Sequence, residues 1–389
     1  MSAMEGMEKI DPGGTEAVAD VRTQEMFINM GPQHPSTHGV LRVLLTADGE
    51  VISSAKPYVG YIHRCAEKIG ETLTLEQFTP YTDRYDYLSA MNNNLGYCMA
   101  VEKLCGIEAP ERAQYIRVIV AELNRIASHL VAFGTYGLDL GAFTPFCYAF
   151  RDREWILSLF ERLCGARLTY NYVCIGGVRH DLPEGFLEGT RNFCDHMEKT
   201  WKEYDTLLSR NAIFVRRTAG IGVVSAEEAR AWGFTGPCLR GSGVAYDVRR
   251  ARPYLVYDKL DFDIPVGRGE AGVQGDCWDR YYVRMLEILE SIKIVRQCLD
   301  VLPGGDVKAK VSKALKAPEK EVYLGVENPR GELGHYIVGG GGKNAYRMRI
   351  RGPSFANLTI LGKLLEGAMI ADAVAIIGSL DIVLGEVDR

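Results

Sequence analysis

The chain has 389 residues, enough for one large domain or two closely packed ones with an ample hydrophobic core. Its 45 Lys and Arg residues are scattered among 50 Asp and Glu residues, which argues against nucleic acid as a main partner. No apolar run approaches the roughly 18–20 residues that span a bilayer, so we expect any membrane association to come through partner proteins.

An N-terminal arm and a small sheet are predicted first. Residues 1–22 are polar, acidic and rich in Gly and Ala, which is typical of a mobile arm or of one that orders on a partner. Residues 23–60 predict a sheet of extended apolar segments, with the tip of a hairpin at Asp48-Gly49.

A loop of defined shape is predicted between the first two extended segments, where residues 31–40 read GPQHPSTHGV. Its two prolines have fixed φ, and its two glycines tolerate φ values that other residues avoid. His34 and His38 lie on this loop, and two imidazoles on a held loop suggest proton or hydrogen-bond donation to a bound molecule. The alternative is that both imidazoles only satisfy backbone groups of the loop.

Residues 61–302 predict a central helical bundle. A first helical piece begins at Tyr61 and runs toward Leu75, and a second helix begins near Thr82 and Asp83, either of which can cap it. Apolar residues then recur along this second helix at helical spacing.

A third helix follows a short break that contains a proline, and its apolar face runs from Ile116 to Leu130. The opposite face carries Glu122, Arg125 and His129, and the most economical interpretation of these three is an internal polar cluster.

The short break makes the second and third helices an antiparallel hairpin, so that the start of one and the end of the other share one end of the bundle. A turn from Thr135 to Gly141 contains Asp139 at that end. The residues expected to lie level with His129 and this turn are Asp83, Arg84, Asp86 and Tyr87.

The remaining elements complete an α+β protein in which a central antiparallel helical bundle lies between an N-terminal sheet and C-terminal strands. Residues 211–268 predict an irregular insertion of short strands, turns and brief helices, and residues 303–389 predict a linker, strands and a buried C-terminal segment. Further helices are expected over 145–164, 185–208 and 279–302, and strands over 321–326, 335–338 and 346–351.

Ten cysteines are spread along the chain, and no two lie closer than seven positions apart. Without a C-x-x-C pair, the sequence offers no recognisable thiolate site for zinc, an iron–sulfur cluster or nickel. Since no signal peptide is recognisable, we expect reduced and mostly buried thiols in a cytosolic protein that binds no metal of its own.

Several motifs together resemble one family. They lie at 31–40, 60–68, 82–87, 144–150, 176–183, 330–334, 378–381 and 385–389. Over nearly the whole chain after residue 22, this set is similar to the hydrogenase-like core subunit (the 49-kDa subunit) of respiratory complex I, the proton-pumping NADH:quinone oxidoreductase. The resemblance implies a fold like that of the large subunit of [NiFe] hydrogenases.

Hydrogenases hold nickel through two pairs of cysteines, and the resemblance aligns those four positions with Asp86, Ser89, Val383 and Glu386. A cage of soft thiolates cannot be replaced by these side chains and still hold nickel and iron. A catalytic hydrogenase is therefore disfavoured, while the cavity that remains suits an organic acceptor.

The resemblance implies that this cavity binds a quinone headgroup. His38 and Tyr87 would donate hydrogen bonds to its two carbonyl oxygens and supply protons, and Asp139 would pair with His38 and orient it. Three further residues are expected to support the pocket: His34, Thr135 and Asp86.

The resemblance also implies partners, because the chain carries no redox centre. Electrons would come from an iron–sulfur cluster in an adjacent subunit, with Arg64 beside it and Thr169 where relatives often have histidine. A neighbouring hydrophilic core subunit and a quinone-channel membrane subunit would hold the chain as a peripheral protein on the cytoplasmic face of the bacterial plasma membrane.

The leading hypothesis is thus a core subunit of a proton-translocating NADH:quinone oxidoreductase, active only within its complex. A non-catalytic scaffold that docks partner subunits is the alternative from another class, and the joint presence of His38, Tyr87 and Asp139 disfavours it. The upstream electron donor and the type of quinone are not determined by this sequence.

Overall fold

The computed structural model describes residues 25–312 and 314–389, so the predicted arm over residues 1–22 lies outside the described residues. The strands are β1 (Glu25–Met30), β2 (Arg42–Asp48), β3 (Val51–Tyr58), β4 (Val173–Cys174), β5 (Gly177–Val178), β6 (Glu321–Asn328), β7 (Gly331–Gly339) and β8 (Ala345–Arg351). The helices are α1 (Ala66–Thr72), α2 (Leu75–Thr82), α3 (Ala90–Cys105), α4 (Glu111–Asp139), α5 (Phe143–Cys164), α6 (Phe186–Tyr204), α7 (Ala212–Thr218), α8 (Ala226–Ala231), α9 (Gly236–Gly241), α10 (Val248–Ala251), α11 (Cys277–Val301), α12 (Pro353–Leu358), α13 (Leu361–Leu365), α14 (Ile370–Leu380) and α15 (Leu384–Asp388). This mixture of helices and strands agrees with the predicted α+β class.

The N-terminal sheet has the predicted hairpin. Strands β1, β2 and β3 pair antiparallel in chain order, and the β2–β3 hairpin turns after Asp48. Along β2, Val43, Leu45 and Ala47 are fully buried, while the residues between them are partly exposed, which is the alternation of a half-buried strand. The buried face shares one hydrophobic core with α13, α14 and α15, so the loop between β1 and β2 lies against the C-terminal helices.

Helix α4 is the centre of the bundle and packs against α3, α5 and α11. The helices predicted at the positions of α3, α4, α5, α6 and α11 are confirmed. Helix α6 continues into a π-helical turn, Asp205–Ser209. The face of α4 from Ile116 to Leu130 is buried, as its apolar spacing predicts.

The predicted start of the second helix is wrong. Thr82 ends α2, which begins with a capping box between Thr74 and Gln77. Asp86 holds the following turn by accepting hydrogen bonds from Leu88 N and from the Ser89 hydroxyl. Helix α3 therefore begins only at Ala90, because the polar side chains near Thr82 stabilise a turn rather than cap a helix.

The first helical piece begins later than predicted, at Ala66 instead of Tyr61. The backbone just before it donates to the carboxylate of Asp388 instead of entering a helix, with Gly60 N 2.7 Å and Ile62 N 2.9 Å from its oxygens. Residues far apart in sequence thus decide the local conformation of this segment.

Helix α4 runs to Asp139, so the predicted turn over residues 135–141 is largely helical. The backbone ladder continues as far as Leu140 N, and only Gly141, with φ +91°, turns the chain. The predicted strands within residues 211–268, a segment described throughout, are also wrong. This segment contains α7 to α10 and a 3₁₀ turn, Tyr257–Lys259. Its polar side chains reach into the bundle, where Arg240 bonds Glu287 and Arg249 bonds Glu122.

The C-terminal strands are confirmed, with β6, β7 and β8 antiparallel in chain order and packed on α1 and α3. The apolar segment that begins at Met369 forms α14, and its second half is buried. Of the helices that the structure describes, none combines the length and the apolarity needed to cross a membrane.

Candidate functional site

The loop over residues 31–40 is held by its own hydrogen bonds. His34 Nδ1 accepts from Ser36 N at 3.3 Å, and the buried Thr37 hydroxyl donates to His34 O at 2.6 Å. These contacts form a 3₁₀ turn, Pro35–Thr37, which ends at His38 in the left-handed conformation with φ +54°. His34 therefore satisfies a loop backbone group, as the alternative interpretation has it, whereas the His38 side chain projects away from the turn.

His38 pairs with Asp139, as the sequence motifs imply. His38 Nε2 lies 2.8 Å from Asp139 Oδ2, and the two side chains are 15% and 10% exposed. Asp139 is the last residue of α4, where the negative end of the helix dipole makes a carboxylate unfavourable unless a cation or donor faces it. The imidazole of His38 provides that donor, and the pair joins the N-terminal loop to the bundle.

Tyr87 lies in the turn between α2 and α3 with 37% of its surface exposed. Burial and the neighbouring carboxylate of Asp86 raise the pKa of its phenol, so the hydroxyl stays protonated at neutral pH and can donate. Its ring borders α15, since a Cβ placed on Gly385 would lie 3.4 Å from Tyr87 Cε1.

Helix α15 connects the surroundings of Tyr87 to the His38 loop. At the residue before Gly385, a Cβ placed on Gly39 would lie 3.1 Å from Leu384 Cδ1. Tyr87 and the loop that carries His38 therefore both pack against Leu384–Asp388, and this short helix sets their relative position.

Asp86 is completely buried and lies in an ion pair. Arg330 Nη1 is 2.8 Å from Asp86 Oδ2 and 2.9 Å from the Ser128 hydroxyl, while Arg330 Nη2 is 3.3 Å from Asp381 Oδ1. This ion pair with Arg330 holds Asp86, and with it the turn that carries Tyr87. Arg330 is therefore a residue of the site, although in the sequence it stands out only as part of the motif at 330–334. No local pattern marks its role, because its partners lie far away in the sequence.

Of the positions that the resemblance aligns with hydrogenase cysteines, Ser89 and Glu386 lie beside this ion pair, since the Ser89 hydroxyl donates to Asp86 and the charges of Asp86 and Arg330 act on Glu386. Burial and the charge of Asp86 raise the pKa of Glu386 to about 7, and Glu386 accepts a hydrogen bond from Ser354 N at 2.8 Å. Within residues 25–312 and 314–389, no group of three or more His, Cys, Asp or Glu side chains is placed to hold a metal ion. With the Arg330 guanidinium among them, these side chains do not fit a nickel–iron centre.

The helix hairpin places only part of this site. Asn124 bonds Leu88 O at 3.1 Å and Met91 N at 2.9 Å, so the start of α3 lies level with the middle of α4. Asp139 is a further 15 residues along the helix (139 minus 124), or roughly 22 Å. The prediction that Asp139 lies level with the start of the second helix is therefore wrong, and its contact with His38 is what links Asp139 to the loop that packs on α15.

Asp83 lies apart from the ion pair of Asp86. It is completely buried, and neither carboxylate oxygen has a hydrogen-bond partner among the described residues. Burial raises its pKa to about 7. Thr135, also a predicted site residue, donates its hydroxyl to Val131 O at 2.8 Å within its own helix.

Arg64 is exposed on a segment that the C-terminal residues hold. Arg64 N donates to Arg389 O at 3.2 Å, and Arg64 Nη2 donates to Arg84 O at 2.6 Å. The Asp388 carboxylate also accepts hydrogen bonds from Gly60 N and Ile62 N. Together these contacts fix the backbone of this segment, while the guanidinium of Arg64 remains at the surface. Thr169 is partly exposed.

The internal polar cluster predicted on α4 is confirmed, and it is larger than the sequence indicates. Glu122 is 3.1 Å from Arg125 and 3.0 Å from Arg249, and His129 Nε2 is 2.9 Å from Glu287 Oε2. The partners that sequence reasoning missed are Arg240, Asp247, Arg249, Glu287 and Glu327. All of them are buried, and the burial of so many charges in one network is the only signal that marks them.

Comparison with known proteins gives one consistent result. The family model described as respiratory-chain NADH dehydrogenase, 49 Kd subunit, matches residues 139–316 and 308–389. A protein of Bacillus anthracis, named as a subunit of NADH-quinone oxidoreductase, is 53% identical over 369 residues, which cover 95% of this chain and 100% of the relative. Relatives of the same name from Bacillus mycoides and Desulforamulus reducens are 52% and 50% identical, over 95% of this chain and 100% and 99% of their own lengths.

Proposed function

The chain belongs to the family of the 49-kDa subunit of respiratory-chain NADH dehydrogenase, and we propose that it forms the pocket in which that complex reduces a quinone. As a core subunit of an NADH-quinone oxidoreductase, it acts within a multisubunit enzyme. The observation that supports the pocket is that the loop carrying the His38–Asp139 pair and the ring of Tyr87 lie against consecutive residues of α15, Leu384 and Gly385.

Quinone reduction adds two electrons and two protons to the ring oxygens, and hydrogen-bond donors that face those oxygens stabilise the negative charge as it develops. The carboxylate of Asp139 accepts from His38 Nε2 and stabilises the imidazolium form. In that form the second ring nitrogen, Nδ1, carries a proton that can be donated to one quinone oxygen. Tyr87 donates to the other oxygen, since its raised pKa keeps its proton in place until the electrons arrive.

The electrons come from outside this chain in our proposal. An iron–sulfur cluster in an adjacent subunit would lie near the exposed guanidinium of Arg64, whose backbone the C-terminal residues hold. A neighbouring hydrophilic core subunit and a membrane subunit that guides the quinone would complete the site at the cytoplasmic face of the bacterial plasma membrane. The hydrogenase-like ancestry of the fold would explain why Asp86, Ser89 and Glu386 surround one buried spot beside Tyr87.

A Tyr87→Phe variant tests this proposal in membranes that carry the assembled complex. We expect quinone turnover to fall tenfold or more, because the ring is retained while the donor is lost, and we expect the terminal cluster to be reduced as before. Tyr346→Phe is the matched control, since Tyr346 is 76% exposed on β8. Unchanged turnover in an assembled Tyr87→Phe complex would contradict the proposal and favour a scaffold role.

A further inference from the structure

A buried arginine on α5 has no counter-charge. Arg153 is only 8% exposed, yet its Nε has no hydrogen-bond partner among the described residues. Its guanidinium forms no ion pair with a carboxylate in that part of the chain either. Burial lowers the pKa of Arg153, but a guanidinium keeps its proton at neutral pH. Burying a charge without a partner is unfavourable, so Arg153 destabilises the isolated chain.

The acids next to Arg153 in the sequence are held by other arginines. Asp152 accepts from Arg151 Nε at 2.7 Å, and Glu154 pairs with Arg167 Nη2 at 2.5 Å. The positive charge of Arg167 also opposes that of Arg153 and lowers its pKa further. A carboxylate that pairs with Arg153 therefore has to come from outside the described residues.

Three aromatic rings lead along α5 to Arg153. Phe143 and Phe150 are 61% and 37% exposed. The ring centres of Phe143 and Phe146 are 6.1 Å apart, and those of Phe146 and Phe150 are 4.3 Å apart. Positions 146, 150 and 153 share one face of the helix, and Cζ of Arg153 lies 5.9 Å from the ring centre of Phe150. The surface made of these three phenylalanines and Arg153 is called the α5 stripe below.

The composition of the α5 stripe is that of a protein interface. Exposed apolar patches mark interaction sites, and aromatic residues and arginine are enriched where proteins meet. A small anion would pair with Arg153 but would leave the phenylalanine rings in water. A second protein surface can satisfy both, and this chain acts within a multisubunit enzyme.

We propose that the α5 stripe docks an adjacent subunit of the complex, which covers the phenylalanine rings with apolar side chains and supplies one carboxylate to Arg153. Because the guanidinium is already removed from water in the isolated chain, the arriving carboxylate gains a strong ion pair with little further desolvation of Arg153. The proposal goes beyond the quinone pocket and does not depend on it.

The first test is a high-resolution structure of the assembled wild-type complex. We expect a carboxylate oxygen of an adjacent subunit about 2.7–3.2 Å from a guanidinium nitrogen of Arg153. A guanidinium that meets only water, a lipid phosphate over Arg153, or a quinone tail along the phenylalanines would overturn the proposal, whatever the variants do.

The second test compares stability with assembly in an Arg153→Met variant, which keeps the length of the side chain and removes its charge. We expect the thermal midpoint of the isolated full-length chain to stay the same or rise, because an unpaired buried cation is lost. We expect the amount of assembled complex in membranes to fall at least fivefold, because the partner's carboxylate is left buried without a cation.

Arg162→Met is the matched control. Arg162 lies nine positions further along the same helix, is exposed and donates to Glu184 O at 2.9 Å. It should change neither the thermal midpoint nor the amount of complex. If Arg153→Met lowered the thermal midpoint of the isolated chain, or left assembly at the level of Arg162→Met, the docking role would be overturned. Tyr87→Phe is scored by turnover in assembled complexes, so failure of the quinone pocket and failure of this docking surface are distinguishable.

Discussion

The imidazole Nε2 of His38 lies 2.8 Å from Oδ2 of Asp139, a residue 101 positions later in the chain. This contact joins a loop of the N-terminal sheet to the C-terminal end of the central helix α4. It places an ionisable donor and its counter-charge in one small, mostly buried space, where electrostatic interactions are stronger than in water.

An Asp139→Asn variant should separate the charge of this contact from its geometry. The amide oxygen can still accept from His38, but it no longer stabilises the imidazolium, so we expect quinone turnover to fall by roughly 10²-fold. Turnover is measured in membranes alongside the amount of assembled complex. Asp300→Asn, an exposed acid paired with Arg191, is the control, and equal turnover in the two variants would contradict the assignment.

An Arg330→Met variant should destabilise the protein strongly. Arg330 is completely buried and pairs with Asp86 and Asp381, and its removal leaves Asp86 without a cation in the interior and Asp381 with only Arg284, 3.5 Å away. We expect the free energy of unfolding to fall by about 3–5 kcal/mol, seen as a lower thermal midpoint and less assembled complex. Arg191→Met breaks an exposed pair and should cost about 1 kcal/mol or less. Similar losses for the two variants would rule out a special role for Arg330.

An Asp388→Asn variant should loosen the segment that carries Arg64. The carboxylate of Asp388 accepts from the backbone N–H groups of Gly60 and Ile62, and hydrogen bonds to a charged acceptor contribute about 1.5–3 kcal/mol. We expect hydrogen exchange of these two amides to become at least tenfold faster. Asp306→Asn, at an exposed position, should leave the exchange rates of both amides unchanged. Unchanged exchange rates in Asp388→Asn would show that the Asp388 carboxylate does not hold this segment.

An Asp83→Asn variant should remove a dependence of stability on pH. Burial raises the pKa of Asp83 to about 7, so between about pH 4 and pH 7 the folded chain keeps a proton that the unfolded chain has released. Across this window the wild-type free energy of unfolding therefore falls as pH rises, by up to about 1.4 kcal/mol per pH unit from this group.

The thermal midpoints of Asp83→Asn and wild type should be similar near pH 4, with the variant increasingly more stable up to pH 7. Asp300→Asn is measured beside it, because its carboxyl is exposed and should give no such divergence. A constant difference between Asp83→Asn and wild type across this range would show that the carboxyl is not held protonated by the fold.

Regular elements were predictable where one short-range signal dominates. An extended apolar segment before the Asp48-Gly49 turn located strand β2, and apolar spacing from Ile116 to Leu130 located the central helix. Near Thr82 the local signal was ambiguous, because polar residues that can cap a helix can also hold a turn. The structure resolves this ambiguity through Asp86, whose carboxylate bonds within the turn.

By itself, the sequence determined the α+β class, the family and the candidate donors His38 and Tyr87, since each follows from local periodicity or from contiguous motifs. Only the tertiary structure decided which partners those residues meet. Arg330 reaches Asp86 across 244 positions, and Glu287 reaches His129 across 158. Buried charges need counter-charges, but which one is near depends on how helices pack, and no pattern along the chain encodes that distance.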